Sequence, residues 1–155
     1  MKHAYTANLS WDRQGAKFTD GKYSRAHQWS FDGGAVVPAS SSPLVVPAPL
    51  SDPAGVDPEE AFVASLSSCH CLWFLHVAGR AGFVVDRYTD AACGVMEKNA
   101  QNKSWVSRVT LKPHAVFTGE KQPSTQQLEE MHHKAHEECF IANSVKSEVV
   151  VEPVV

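Results

Sequence analysis

From Ala61 to Gly79 the chain carries no aspartate, glutamate, lysine or arginine, and this charge-free run is bracketed by punctuation for a single helix. Asp57 fits the N-cap, Pro58 the first helical position, and Glu60, three residues after the cap, completes an aspartate version of the capping box. Arg80 ends the run and Gly82 marks the stop, so a helix is predicted from Pro58 to about Arg80. Its apolar and small positions (Ala61, Phe62, Leu66, Cys69, Leu72, Trp73, Leu75) wrap more than one face. Such a helix must be covered on several sides, by its own sheet and by a partner.

The flanking segments read as strands and one further helix. Residues 3–11 roughly alternate in polarity and run into Asp12-Arg13-Gln14-Gly15; Tyr23 to Phe31 is extended and ends at Asp32-Gly33-Gly34, together an N-terminal hairpin or meander. From Ala35 to Gly55 five prolines (Pro38, Pro43, Pro47, Pro49, Pro53) predict a long loop. Residues 83–97 and 104–118 alternate like two antiparallel strands around the polar turn Lys98 to Lys103. Ser124 and Gln127 form a second capping box, opening a helix to about Cys139, and Val145 to Val151 reads as a last strand. The order predicts an α+β fold, with antiparallel sheets packed on a buried central helix and a second helix beside it. It should form one domain over 1–155, made of N-terminal strands (1–34), a loop (35–55) and a helix–hairpin–helix–strand segment (56–155).

Composition narrows the chemistry. With 155 residues and 43% hydrophobic side chains the chain can bury a core without disulfides or metals, and its formal charge of -3 gives no basic field for nucleic acid or anionic membranes. The first residues lack the apolar stretch of a signal peptide, and no run reaches the roughly 18 apolar residues that span a bilayer. A cytoplasmic protein without membrane insertion is therefore expected, in which the four cysteines (Cys69, Cys71, Cys93, Cys139) rest as thiols.

Cys69 lies mid-helix among small neighbours, whereas Cys139 falls at the end of the second helix. Cys69 and Cys71 differ by about 200° around a helix and cannot jointly hold a metal, so Cys71 reads as core, and Cys93 reads the same way. His132 and His136 have the i, i+4 spacing of zinc ligands, but the glutamate of a zincin and a second cysteine pair are both missing. No metal is expected, and these histidines read as a solvated helix face. Phosphate loops and the GxSxG nucleophile elbow are absent from the sequence.

Two segments carry a resemblance. Gly55 to His70, in which Asp-Pro-Glu opens a buried helix with a cysteine ten residues after the glutamate, and Cys139-Phe140-Ile141-Ala142-Asn143-Ser144-Val145, a cysteine at a helix end followed by a small-Asn-small run, resemble the two motifs of the OsmC/Ohr family. The element order agrees as well, and His70, His27 and the Trp73 to His76 segment suggest a less-studied OsmC-like branch. The resemblance implies an intertwined homodimer with active sites at the subunit interface, reducing organic or lipid hydroperoxides. Cys69 would be the reactive thiolate and Cys139 the resolving thiol, with no bound cofactor and an external dithiol as reductant. An arginine would activate Cys69, Arg25 in preference to Arg13, itself held by Glu59. The competing expectation is a non-enzymatic dimer of the same fold that senses redox state or binds a small ligand.

Overall fold

The computed structural model describes residues 2–154, which gather into two compact units, one ending at Ala61 and the other beginning at Phe62. In the first unit three short strands, β1 (Asn8–Ser10), β2 (His27–Ser30) and β3 (Val36–Ala39), form an antiparallel sheet in sequence order. The predicted meander is present with shorter strands. β3 falls inside the segment predicted to be loop, and Pro38 is accommodated because β3 is an edge strand. The remaining loop is anchored by a parallel bridge from Ala39 to Val56 and by buried Ser40, whose Oγ accepts from the Asp52 amide at 2.9 Å.

The helix α1 (Pro58–Arg80) begins and ends where its caps predict. The Glu60 amide donates to Asp57 Oδ1 at 2.7 Å and the Asp57 amide to Glu60 Oε2 at 3.2 Å. At the other end Gly82 turns the chain at φ +79°. By length and composition α1 is apolar enough to cross a bilayer, which corrects the expectation that no segment would be. Its buried residues, however, form one stripe at four-residue spacing (Leu66, His70, Phe74, Ala78) packed against protein. On the opposite side Leu72 and Leu75 are 66% and 39% exposed, so within one chain the helix leaves open the face for which the sequence called for a partner.

Within the second unit each long strand predicted from the sequence is broken in two. Residues 83–97 become β4 (Val84–Asp90) and β5 (Cys93–Lys98); residues 104–118 become β6 (Ser104–Leu111) and β7 (Pro113–Thr118). β4 pairs with β7 in a two-stranded ribbon, while β5 and β6 join the C-terminal strand β8 (Glu148–Val151) in a second sheet. β8 runs parallel to β6, so this sheet is mixed. Both arms break at the same level, and Asp90 holds the corner: its Oδ1 accepts from the Lys112 amide at 2.7 Å and its Oδ2 from Ser67 Oγ at 2.5 Å.

The break lets one hairpin cover both halves of α1. Leu66 packs with Val109 and Leu111 of the mixed sheet, where a Cβ on Gly94 would come within 2.7 Å of Val63. Further along, Phe74 and Ala78 pack with Phe83 and with Met131 and Ala135 of the second helix α2 (Thr125–Glu138). Ser124 caps α2 through the predicted box with Gln127.

Candidate active site

Cys69 is half-buried in the middle of α1. Cys139 is the C-cap of α2, 1% exposed, with its amide donating to the His136 carbonyl at 3.3 Å. The chain then folds into a 3-10 turn (Ala142–Ser144), which aims the Ala142 amide at Cys139 Sγ, 3.4 Å away. Cys69 of α1 is the titratable neighbour of Cys139, and both are thiols. Burial pushes the Cys139 thiol up to about 11, and the neighbouring Cys69 thiol adds to the rise. Asn143 fixes the turn by donating from Nδ2 to the Glu137 carbonyl at 2.8 Å. The small-Asn-small run after Cys139 thus has a structural purpose.

Aromatic side chains flank the thiols. Trp73, one turn after Cys69, meets Phe140 edge to face with centroids 5.4 Å apart. Trp73 is also a wall of an open groove of about 770 Å³ between α1 and α2, with Val77, Phe83 and Met131, rimmed by Arg80 and Lys134. Neither cysteine lines that groove.

The other two predicted site residues belong to the first unit. Arg25 precedes β2 and is not in a strand, which corrects the ground on which it was preferred to Arg13. Its guanidinium donates to the carbonyls of Gly21 and Tyr23 at 2.7 and 2.5 Å and lies 3.9 Å above the Tyr23 ring. Arg13 is exposed in its turn and donates to the Ala16 carbonyl at 3.0 Å. Glu59 is half-buried in the first turn of α1, and among the described residues it forms no ion pair with Arg25 or Arg13.

Three expectations about other polar residues are corrected. Cys71 is only half-buried and Cys93 is exposed, so neither is a core residue. His132 does not belong to a solvated face: it is 3% exposed, and its Nδ1 lies 3.0 Å from Nε2 of wholly buried His70. Only His133 is on the solvent side, 3.2 Å from Glu137. Burial lowers both His70 and His132 to about 4, so both imidazoles are neutral at pH 7. Sequence reasoning missed this pair; the available signal was His70 standing in register with Leu66 and Phe74 on the apolar stripe.

Comparison with known proteins follows from this geometry. The family model described as OsmC-like protein matches residues 51–154. The structure of an OsmC-like protein of unknown function from Vibrio cholerae is 54% identical, with 99% of this chain and 100% of that one aligned and a TM-score of 0.96. Two more distant structures share the fold. An OsmC-like protein from Mycoplasma pneumoniae is 11% identical over 99% and 98% of the two chains, TM-score 0.75. The organic hydroperoxide resistance protein OhrB of Bacillus subtilis is 18% identical over 98% and 98%, TM-score 0.70. No curated protein matches the chain.

Proposed function

The chain belongs to the OsmC-like protein family, whose model spans residues 51–154, and on that premise we propose that it is a thiol-dependent peroxidase reducing organic hydroperoxides. The observation that carries the reading is that Cys69 of α1 and Cys139 at the end of α2 are neighbours. The Cys69 thiolate attacks the O–O bond, the alkoxide leaves and takes a proton to become an alcohol, and Cys69 is left as a sulfenic acid. Cys139 then attacks that sulfur, water leaves, and the resulting disulfide is reduced by an external dithiol.

The roles divide by environment. A thiol raised to about 11 stays protonated at neutral pH, which argues against Cys139 as the thiolate of the first step; in the second it gives up its proton as it attacks, to the hydroxide that leaves as water. Activation of Cys69 needs a cation, taken here as Arg25 with Arg13 as the alternative, positioned through Glu59. Trp73 and Phe140 offer an apolar surface to the organic group of the peroxide. In this reading the protein is a cytoplasmic homodimer that needs no bound metal, flavin or nicotinamide. The exposed Leu72 and Leu75 of α1 support a partner on that face.

Consumption of cumene hydroperoxide with a dithiol tests the reading. Cys69→Ser abolishes turnover, while Cys139→Ser still forms a sulfenic acid at Cys69 that a dimedone adduct reveals. Wild-type consumption no faster than that of Cys69→Ser sinks the proposal. A Cys69–Cys139 link that forms with peroxide but turns over slowly with every reductant replaces it with the redox-sensing reading.

A further inference from the structure

α1 and α2 bring together two polar pairs: the neighbouring thiols, and the imidazoles of His70 and His132, bonded Nε2 to Nδ1 at 3.0 Å with the rings inclined by 6°. The peroxidase chemistry has no use for the second. Both imidazoles are buried, and His70 Nδ1 and His132 Nε2 have no hydrogen-bond partner among the described residues. Two apolar side chains would fill that space without leaving polar atoms unsatisfied. What a hydrogen bond adds is direction. The neighbouring contacts are flat or greasy, such as Phe74 stacked 4.1 Å from His132, and such surfaces slide on one another, whereas an N–H···N bond fixes one position.

The thiol pair depends on that position. His70 adjoins Cys69, and Cys139 lies seven residues beyond His132, two turns on along the same face of α2. A one-residue slip of a helix displaces a side chain by about 1.5 Å and turns it by about 100°. A disulfide tolerates only a narrow range, with Cβ atoms about 3.5–4.5 Å apart. We propose that His70 and His132 form a latch between the helices: they are positioning residues whose hydrogen bond fixes α2 against α1 and so presents Cys139 to Cys69 for disulfide closure. The role rests on reading Cys69 and Cys139 as a redox couple.

The test compares His132→Asn, whose amide can occupy the place of Nδ1, with His132→Phe, which keeps the ring stacked on Phe74 and removes the bond. Full-length proteins are oxidised with diamide in one arm and cumene hydroperoxide in the other. Peptide mapping follows the Cys69–Cys139 link apart from Cys71 and Cys93. The expected result is closure within about twofold of wild type for His132→Asn and about tenfold slower for His132→Phe, with the disulfide equilibrium against dithiothreitol weakened by a similar factor. Loss of the Cys69 thiol in the peroxide arm should proceed at the wild-type rate in both, while the dimedone adduct of the sulfenic acid accumulates in His132→Phe because closure no longer outruns it. His70→Gln and His70→Leu repeat the comparison from α1 should His132→Phe not fold. The latch is overturned if the apolar variants close as fast as wild type, or if the amide variants are as slow as the apolar ones. Failure of the peroxidase reading looks different: cumene hydroperoxide leaves wild-type Cys69 untouched while the diamide arm still ranks the variants.

Discussion

A buried imidazole couples the folded state to pH, and His70 and His132 do so together. Burial lowers both to about 4, from an ordinary value of 6.5. The neighbouring charges oppose one another at His70, where His136 of α2 pushes further down and Asp90 of β4 pulls up. Because the folded values lie below the unfolded ones, the unfolded chain takes up protons first as the solution is acidified. The pair's stability is therefore fully present above about pH 6.5 and is lost as the pH falls toward 4, by roughly 3 kcal/mol for the first proton. Urea melts at pH 7.5, 6 and 5 should show this slope, and the His70→Gln/His132→Asn double variant should flatten most of it. A wild-type midpoint indifferent to pH across that range excludes the linkage.

At the level of elements the two helices owe their ends to local chemistry. Ser124 caps α2 in a reciprocal box with Gln127, at 3.2 Å for the Gln127 amide to Ser124 Oγ and 2.9 Å for the Ser124 amide to Gln127 Oε1. Ser124→Ala should destabilise the protein by about 1 kcal/mol, and Ser124→Gly by a few tenths of that unit. Equal denaturation midpoints for wild type and Ser124→Ala dispose of the claim. Both boxes were legible in the sequence because cap and partner stand three residues apart. The breaks in the hairpin were not, since Asp90 ties residues separated by 22 and 23 positions, Lys112 and Ser67, and alternation simply runs on through the corner. The pairing of β8 with β6 is parallel and spans 40 positions from Arg108 to Glu148. No periodicity within either strand reports it. The candidate site divides in the same way: Cys69 and Cys139 stand in local motifs that a resemblance can pick out, whereas the His70–His132 contact joins residues 62 apart.

The whole molecule presents more apolar surface than its fold requires. Leu72 on α1, at 66% exposure, stands out beside Leu75, and β5 adds Val95 and Met96 at 44% and 45%. A second copy is the occupant proposed for the α1 face. Leu72→Glu should cost the single chain less than about 0.5 kcal/mol, because the site is already wet. In a dimer it would bury a charge and split the assembly. Sedimentation equilibrium gives the answer: a dimer for wild type and a monomer for the variant, with a monomeric wild type or a dimeric variant rejecting the proposal.

The position of β8 also bears on the order in which the molecule is made. Val145 and Val149 pack in the cluster around Leu66, and β8 reaches its place beside β6 only after α2 and the Cys139 turn have been synthesised. Pairings between such distant segments form slowly, because much of the chain must be gathered before they are rewarded. Cys139 is synthesised 70 residues after Cys69, behind the whole of the hairpin that bends at Asp90. A nascent chain carries Cys69 through all of that synthesis before Cys139 is made, so a link between these two can form only once α2 is complete.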